Sequence, residues 1–124
     1  MAKKNEEILA RYLDEHRAEI YRFPLTEQKE PFVLEFVARL KIESPVTGAD
    51  ISPDGNLLGI VSKSGAFVYR IEGEPSKAAH QKPWLTKFTH QHIEACCFVP
   101  EGLLATAESR EIYLFTDEAF RLRK

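Results

Sequence analysis

The sequence predicts a mainly β chain of antiparallel, four-stranded repeat units behind an N-terminal α-helix. Three observations carry this. Short apolar, β-branched and aromatic runs follow one another closely, separated by Pro, Gly and Asp. A ten-residue stretch returns after 47 residues, and a Tyr-centred strand occurs three times. Several runs are apolar without alternation, as strands covered on both faces are.

The helix is expected at about 5–18. Ile8, Leu9, Tyr12, Leu13 and His16 share one helical face. Asn5 is suited to the N-cap, and Glu6 and Glu7 to the first turn, where the helix dipole favours negative charge. Strands follow at Ala18–Phe23, Phe32–Ile42, Val46–Ser52, Leu57–Ser62, Ala66–Glu72, Trp84–Thr89, Ile93–Val99, Leu103–Ala107 and Glu111–Thr116. The gaps are too short for parallel crossovers, so the sheet is expected to be antiparallel. Gly73–Lys82 reads as a loop suited to insertion or cleavage, and Phe120–Lys124 as a frayed end.

The chain has 124 residues, the size of one domain, and a formal net charge of -2. That charge lacks the basic excess of a nucleic-acid binder. No apolar run is long enough for a membrane helix, and Met1–Glu7 is too polar for a signal peptide. The two cysteines, Cys96 and Cys97, are adjacent and unsuited to pairing with each other. Unpaired cysteines point to a reducing compartment, the cytoplasm.

Val46–Gly55 aligns without gaps on Ile93–Gly102. Both stretches end in Pro-acid-Gly (Pro53, Asp54, Gly55; Pro100, Glu101, Gly102), and both precede a Leu-Leu pair. Pro presets φ, the acid tolerates bridge geometry and Gly accepts positive φ, so both are read as structural turns. Tyr21, Tyr69 and Tyr113 centre the recurring strand, 48 and then 44 residues apart. Four strands per period of this length is the pattern of a β-propeller blade. The complete units are placed at about 46–89 and 93–116, with a partial unit at 19–42. The helix is taken as residues 1–18 and the repeat region as 19–124.

Ala49-Asp50-Ile51-Ser52-Pro53-Asp54-Gly55-Asn56-Leu57-Leu58 resembles the Ser-Pro-Asp-Gly blade motif of WD-repeat-like and TolB-type propellers. The resemblance spans about residues 18–116 and implies the fold without implying an activity.

With blade strands lettered A to D, the chain supplies C-D, A-B-C-D and A-B-C. A blade face of about 300 Å² would stabilise by about 7 kcal/mol when covered. Such a face is therefore expected to find a partner. The chain is expected to be the C-terminal piece of a longer propeller, to close a ring head to tail with further copies, or to cover one face with its own helix.

No catalytic, metal or cofactor site is expected. His80, His90, His92, Cys96 and Cys97 match no standard zinc spacing. Ser52, Ser62 and Ser64 lack a nucleophile-elbow setting. Asp50 and Glu94, near the inner strands, are expected to bond turn amides of a neighbouring unit. The candidate interface residues are Trp84 and the helix residues Ile8, Leu9, Tyr12 and Leu13. The expected function is a non-catalytic protein-interaction module, with a protein partner or self-association and neither nucleic acid nor membrane. The alternative is an oligomeric ring binding a small molecule or glycan.

Overall fold

The structure, a computed structural model, describes residues 17–24, 27, 30–31, 33–42, 45–88 and 92–122, with Arg17, Arg121 and Leu122 as main chain only. The expected helix, with Ile8, Leu9, Tyr12 and Leu13, lies outside the described residues except for Arg17 and Ala18. Those two belong to a strand instead. Among the described residues there is no α-helix, only 3-10 turns at Pro75–His80 and Asp117–Ala119.

Among the described residues, ten strands form three antiparallel sheets: β1 Arg17–Arg22, β2 Glu35–Lys41, β3 Val46–Ile51, β4 Leu57–Ser62, β5 Gly65–Arg70, β6 Trp84–Lys87, β7 Ile93–Val99, β8 Gly102–Ala107, β9 Ile112–Phe115 and β10 Arg121–Leu122. The first sheet is β1-β2, the central one β10-β6-β5-β4-β3, and the third β7-β8-β9.

The central sheet is covered on both faces. Leu58 and Ile60 of β4 and Phe67 and Tyr69 of β5 share one face and pack with Leu40 and Ile42 from the first-sheet side. Val61 and Ala66 lie on the opposite face and pack with Leu103 and Ala105 of β8. Period-2 geometry thus sends alternate residues of β4 and β5 into two separate cores. Each fully buried Leu or Ile there contributes about 1.5–3 kcal/mol.

Several expectations are corrected. Gly73–Lys82 joins β5 to β6 as a loop, but a partly buried one ill suited to insertion or cleavage at Ala78. It holds the 3-10 turn, whose Ser76 N–H is accepted by the Glu74 side chain at the N-cap, and Ala78 enters the first core. The C-terminal end is not wholly frayed, since β10 pairs antiparallel with β6, Arg121 opposite Leu85 and Leu122 opposite Trp84.

The two Pro-acid-Gly turns also differ. Val99 pairs directly with Gly102, so Pro100 and Glu101 alone form a two-residue connection. Ser52–Asn56 is longer and tied by side chains. Ser52 Oγ donates to Asp54 Oδ1 (2.6 Å), Asp54 Oδ1 accepts the Asn56 N–H, and Ser52 Oγ accepts the Leu57 N–H. Gly55 takes φ 77° there, a left-handed value that suits glycine.

That length difference shifts the correspondences drawn from sequence. β3-β4 and β7-β8 each carry one bulge, between Val46 and Gly48 and between Ile93 and Ala95. Matched through the bulges, Leu58 falls on Leu103, so the Leu-Leu pairs are out of step by one residue. Phe67 falls on Tyr113 and Tyr69 on Phe115, so the tyrosines are out of step by two. Tyr69 is buried, Tyr113 half-buried and Tyr21 exposed.

Candidate functional site

Among the described residues, the third sheet packs one face and leaves the other open. Phe98, Leu103, Ala105, Tyr113 and Phe115 point into the second core. The residues between them therefore point outward. Across the strands they form two rows, Cys97-Leu104-Leu114 and Ala95-Thr106-Ile112. These six positions hold no charged side chain, and Ile112 and Leu114 are 68% and 45% exposed.

The far side of the first sheet has a different surface. Glu19 sits opposite Arg39, and Tyr21 opposite Phe36. Arg39 reaches Glu19 at 3.1 Å and lies over the Phe36 ring at 5.8 Å. The Tyr21 hydroxyl donates to Glu19. That hydroxyl, and then the Arg39 guanidinium, hold the Glu19 carboxyl below its ordinary value against a smaller opposing effect of burial. An ion pair lies beside the exposed rings of Tyr21 and Phe36 at this end of the stack, whereas the six outward positions of the third sheet carry no charge.

The junction between the central and third sheets is specific. The Asp50 carboxylate accepts the Phe98 N–H at 2.8 Å, from one sheet to the next. Asp50 thus bonds an amide of the neighbouring sheet, but one in strand β7 where a turn amide is expected, and Glu94 is exposed. Burial raises the Cys96 thiol to about 11, with Asp50 and Cys97 adding to the effect. Cys96 is therefore a protonated, unreactive core residue at neutral pH. Cys97 is exposed on the open face.

Between these two sheets, at the end carrying the Pro-acid-Gly turns, lies a cleft of about 600 Å³ lined by Trp84, Arg70, Phe98, Glu101, Phe115 and Phe120, among others. The Arg70 guanidinium lies 5.3 Å from the centre of the Trp84 ring. Trp84 was singled out in the sequence. Its setting was not, because the stacking needs a side chain from β5 and the cleft wall comes from another sheet. Pro53, Pro100 and Gly102 line the same cleft, so the turns shape a rim as well as reversing the chain.

The remaining candidates stay local. Ser62 is buried within its turn, 3.1 Å from the Ser64 hydroxyl, and accepts the Ser64 N–H. His80 and His92 are exposed and His90 lies outside the described residues. Among the described residues no three His, Cys, Asp or Glu side chains gather as a metal site, and no helix is long and apolar enough to cross a membrane. No protein-family model, curated protein or solved structure matches the chain.

Proposed function

We propose that this chain is a non-catalytic protein-interaction module of propeller-like build, with the open face of the third sheet as its contact surface. The observation that carries the reading is that face, six adjacent outward positions without a charge and with Ile112 68% exposed. Contiguous exposed apolar surface of this kind marks interaction sites. The propeller-like build is supported by two sheets that share a three-strand meander and a bulge in the same place. The side of the central sheet equivalent to the open face is buried against a neighbouring sheet.

The test is light scattering of the purified full chain, together with binding of a hydrophobic dye. The expected result is dye binding, or a mass above 14.2 kDa that rises with concentration. Either is expected to be lost in the exposed-site variant Ile112→Asp. A chain that is monomeric at every concentration and binds no dye refutes the reading.

The cleft favours a second reading, a small molecule or glycan held against Trp84 and Arg70. An aromatic face with a guanidinium above it suits a flat or anionic ligand group. A ligand that raises the melting temperature of wild type but not of Trp84→Ala would support it. No such shift across a glycan and small-molecule panel would remove it.

A further inference from the structure

The main chain of β9 shows how the open sheet is to be completed. The Ala107 N–H donates to the Glu111 carbonyl at 2.9 Å. Bonded pairs alternate along an antiparallel ladder, so Ala105–Tyr113 and Leu103–Phe115 are the bonded pairs of β8 and β9. The N–H and C=O groups of Ile112 and Leu114 therefore point away from β8. No described strand lies against that edge, because the chain leaves β9 through the 3-10 turn and β10 pairs with β6 instead.

The central sheet displays the same edge occupied. The Phe88 N–H donates to the Ser64 carbonyl at 3.1 Å, which makes Ala66–Thr86 and Val68–Trp84 the bonded pairs of β5 and β6. Matched through the bulges, Ala66 falls on Ile112 and Val68 on Leu114. The amides satisfied by Thr86 and Trp84 in one sheet are thus the amides left open in the other. The β9 sequence Ile-Tyr-Leu-Phe has no Lys, Pro or bulge of the kind that guards an exposed edge.

The geometry also limits the incoming strand. A Cβ on Gly65 would lie 2.6 Å from the Thr86 carbonyl oxygen, so β6 passes closely only because glycine stands there. The third sheet has Glu111 at that place. A partner strand therefore pairs with Ile112–Phe115 and diverges at Glu111, whose carboxylate accepts the Tyr113 hydroxyl and, as an anion, also favours a basic side chain just beyond. Opposite Tyr113 the partner stands where Leu85 stands beside Phe67, an apolar position.

We propose that β9 takes up, from another polypeptide, an extended antiparallel strand that is apolar opposite Tyr113 and basic next to Glu111, completing the third sheet as β6 completes the central one. This is strand addition, with main-chain bonds providing affinity and alternate side chains providing selectivity. It rests on the interaction reading above and names the edge and the kind of partner.

The test uses the isotope-labelled full chain and a synthetic peptide with the sequence of residues 82–88, Lys-Pro-Trp-Leu-Thr-Lys-Phe, followed by amide NMR and hydrogen exchange. The expected result is saturable binding that slows exchange at Ile112 and Leu114 at least tenfold. The same peptide N-methylated at its threonine, and so lacking one of its donors to the edge, should bind at least tenfold more weakly. No binding at millimolar peptide overturns the proposal. So does binding that perturbs Ala66 and Val68 by displacing β6, or equal binding of the methylated peptide. If the dye still binds in an Ile112-dependent way while the peptide leaves β9 unchanged, the strand proposal fails and the interaction reading stands. If neither binds, both fail.

Discussion

Gly48 tests the junction between the central and third sheets. A Cβ built on it would lie 3.0 Å from the Ala95 Cα, 3.2 Å from the Ala95 carbonyl carbon and 3.1 Å from Val61 Cγ2. Carbon atoms rest at about 3.5–4.0 Å, so each contact is short by about half an ångström. Two of the three atoms are main chain and cannot rotate aside. Gly48→Ala must therefore push β3 and β7 apart. Overpacking of this kind costs about 1–3 kcal/mol. Loss of glycine's freedom in the unfolded chain returns about 0.4–1 kcal/mol. The net expectation is a destabilisation of about 1–2 kcal/mol. With an unfolding entropy of about 2.1 cal/mol/K per residue, that lowers the melting temperature by about 4–8 °C. Thermal and urea melts followed by circular dichroism would measure it. A Gly48→Ala variant that melts at or above the wild-type temperature would refute the close approach of β3 and β7.

Leu103→Ala opens a cavity in the second core and should cost about 2–5 kcal/mol. The neighbouring Leu104→Ala, on the open face, should stay within about 1 kcal/mol of wild type in the same urea melts. Arg110 holds a left-handed φ of 73°, so Arg110→Gly should stabilise by about 0.5–1 kcal/mol by removing that strain. The Ser52 hydroxyl and the Asn56 N–H hold the Asp54 carboxyl below its ordinary 3.8. Its contribution to stability is present above that value and lost as pH falls through the lower folded one. A carboxyl-detected NMR titration should show Asp54 returning toward 3.8 in Ser52→Ala.

Much of the strand order was legible because β-branched and aromatic runs are bounded by Pro, Gly and Asp. Leu57–Ser62 and Ile93–Val99 have the bounds expected. The unbroken apolar character of β4 and β5 correctly signalled burial on two faces. The tyrosine correspondence failed because Phe67 and Tyr69 lie on one face of one strand, and an aromatic match cannot distinguish positions two residues apart. The leucine correspondence failed because turn length sets register, and Pro-acid-Gly occurs in both a short and a long connection. β10 is two residues long and held by a partner strand, so no local pattern marks it. At the candidate site, Trp84 was legible as an aromatic without a counterpart in the earlier repeat, and it is half-buried. The open face was not, because an apolar run such as Cys96–Val99 reads alike whether or not a neighbouring sheet covers it. The Arg70 stacking and the cleft depend on contacts between strands distant in sequence.

The most direct test is native-state hydrogen exchange on the monomeric chain, comparing four amides. Ala66 and Val68, bonded to β6, should exchange slower than Ile112 and Leu114, on the open edge of β9, by more than about a hundredfold. Equal protection of the two pairs would contradict the claim that the third sheet stops one strand short.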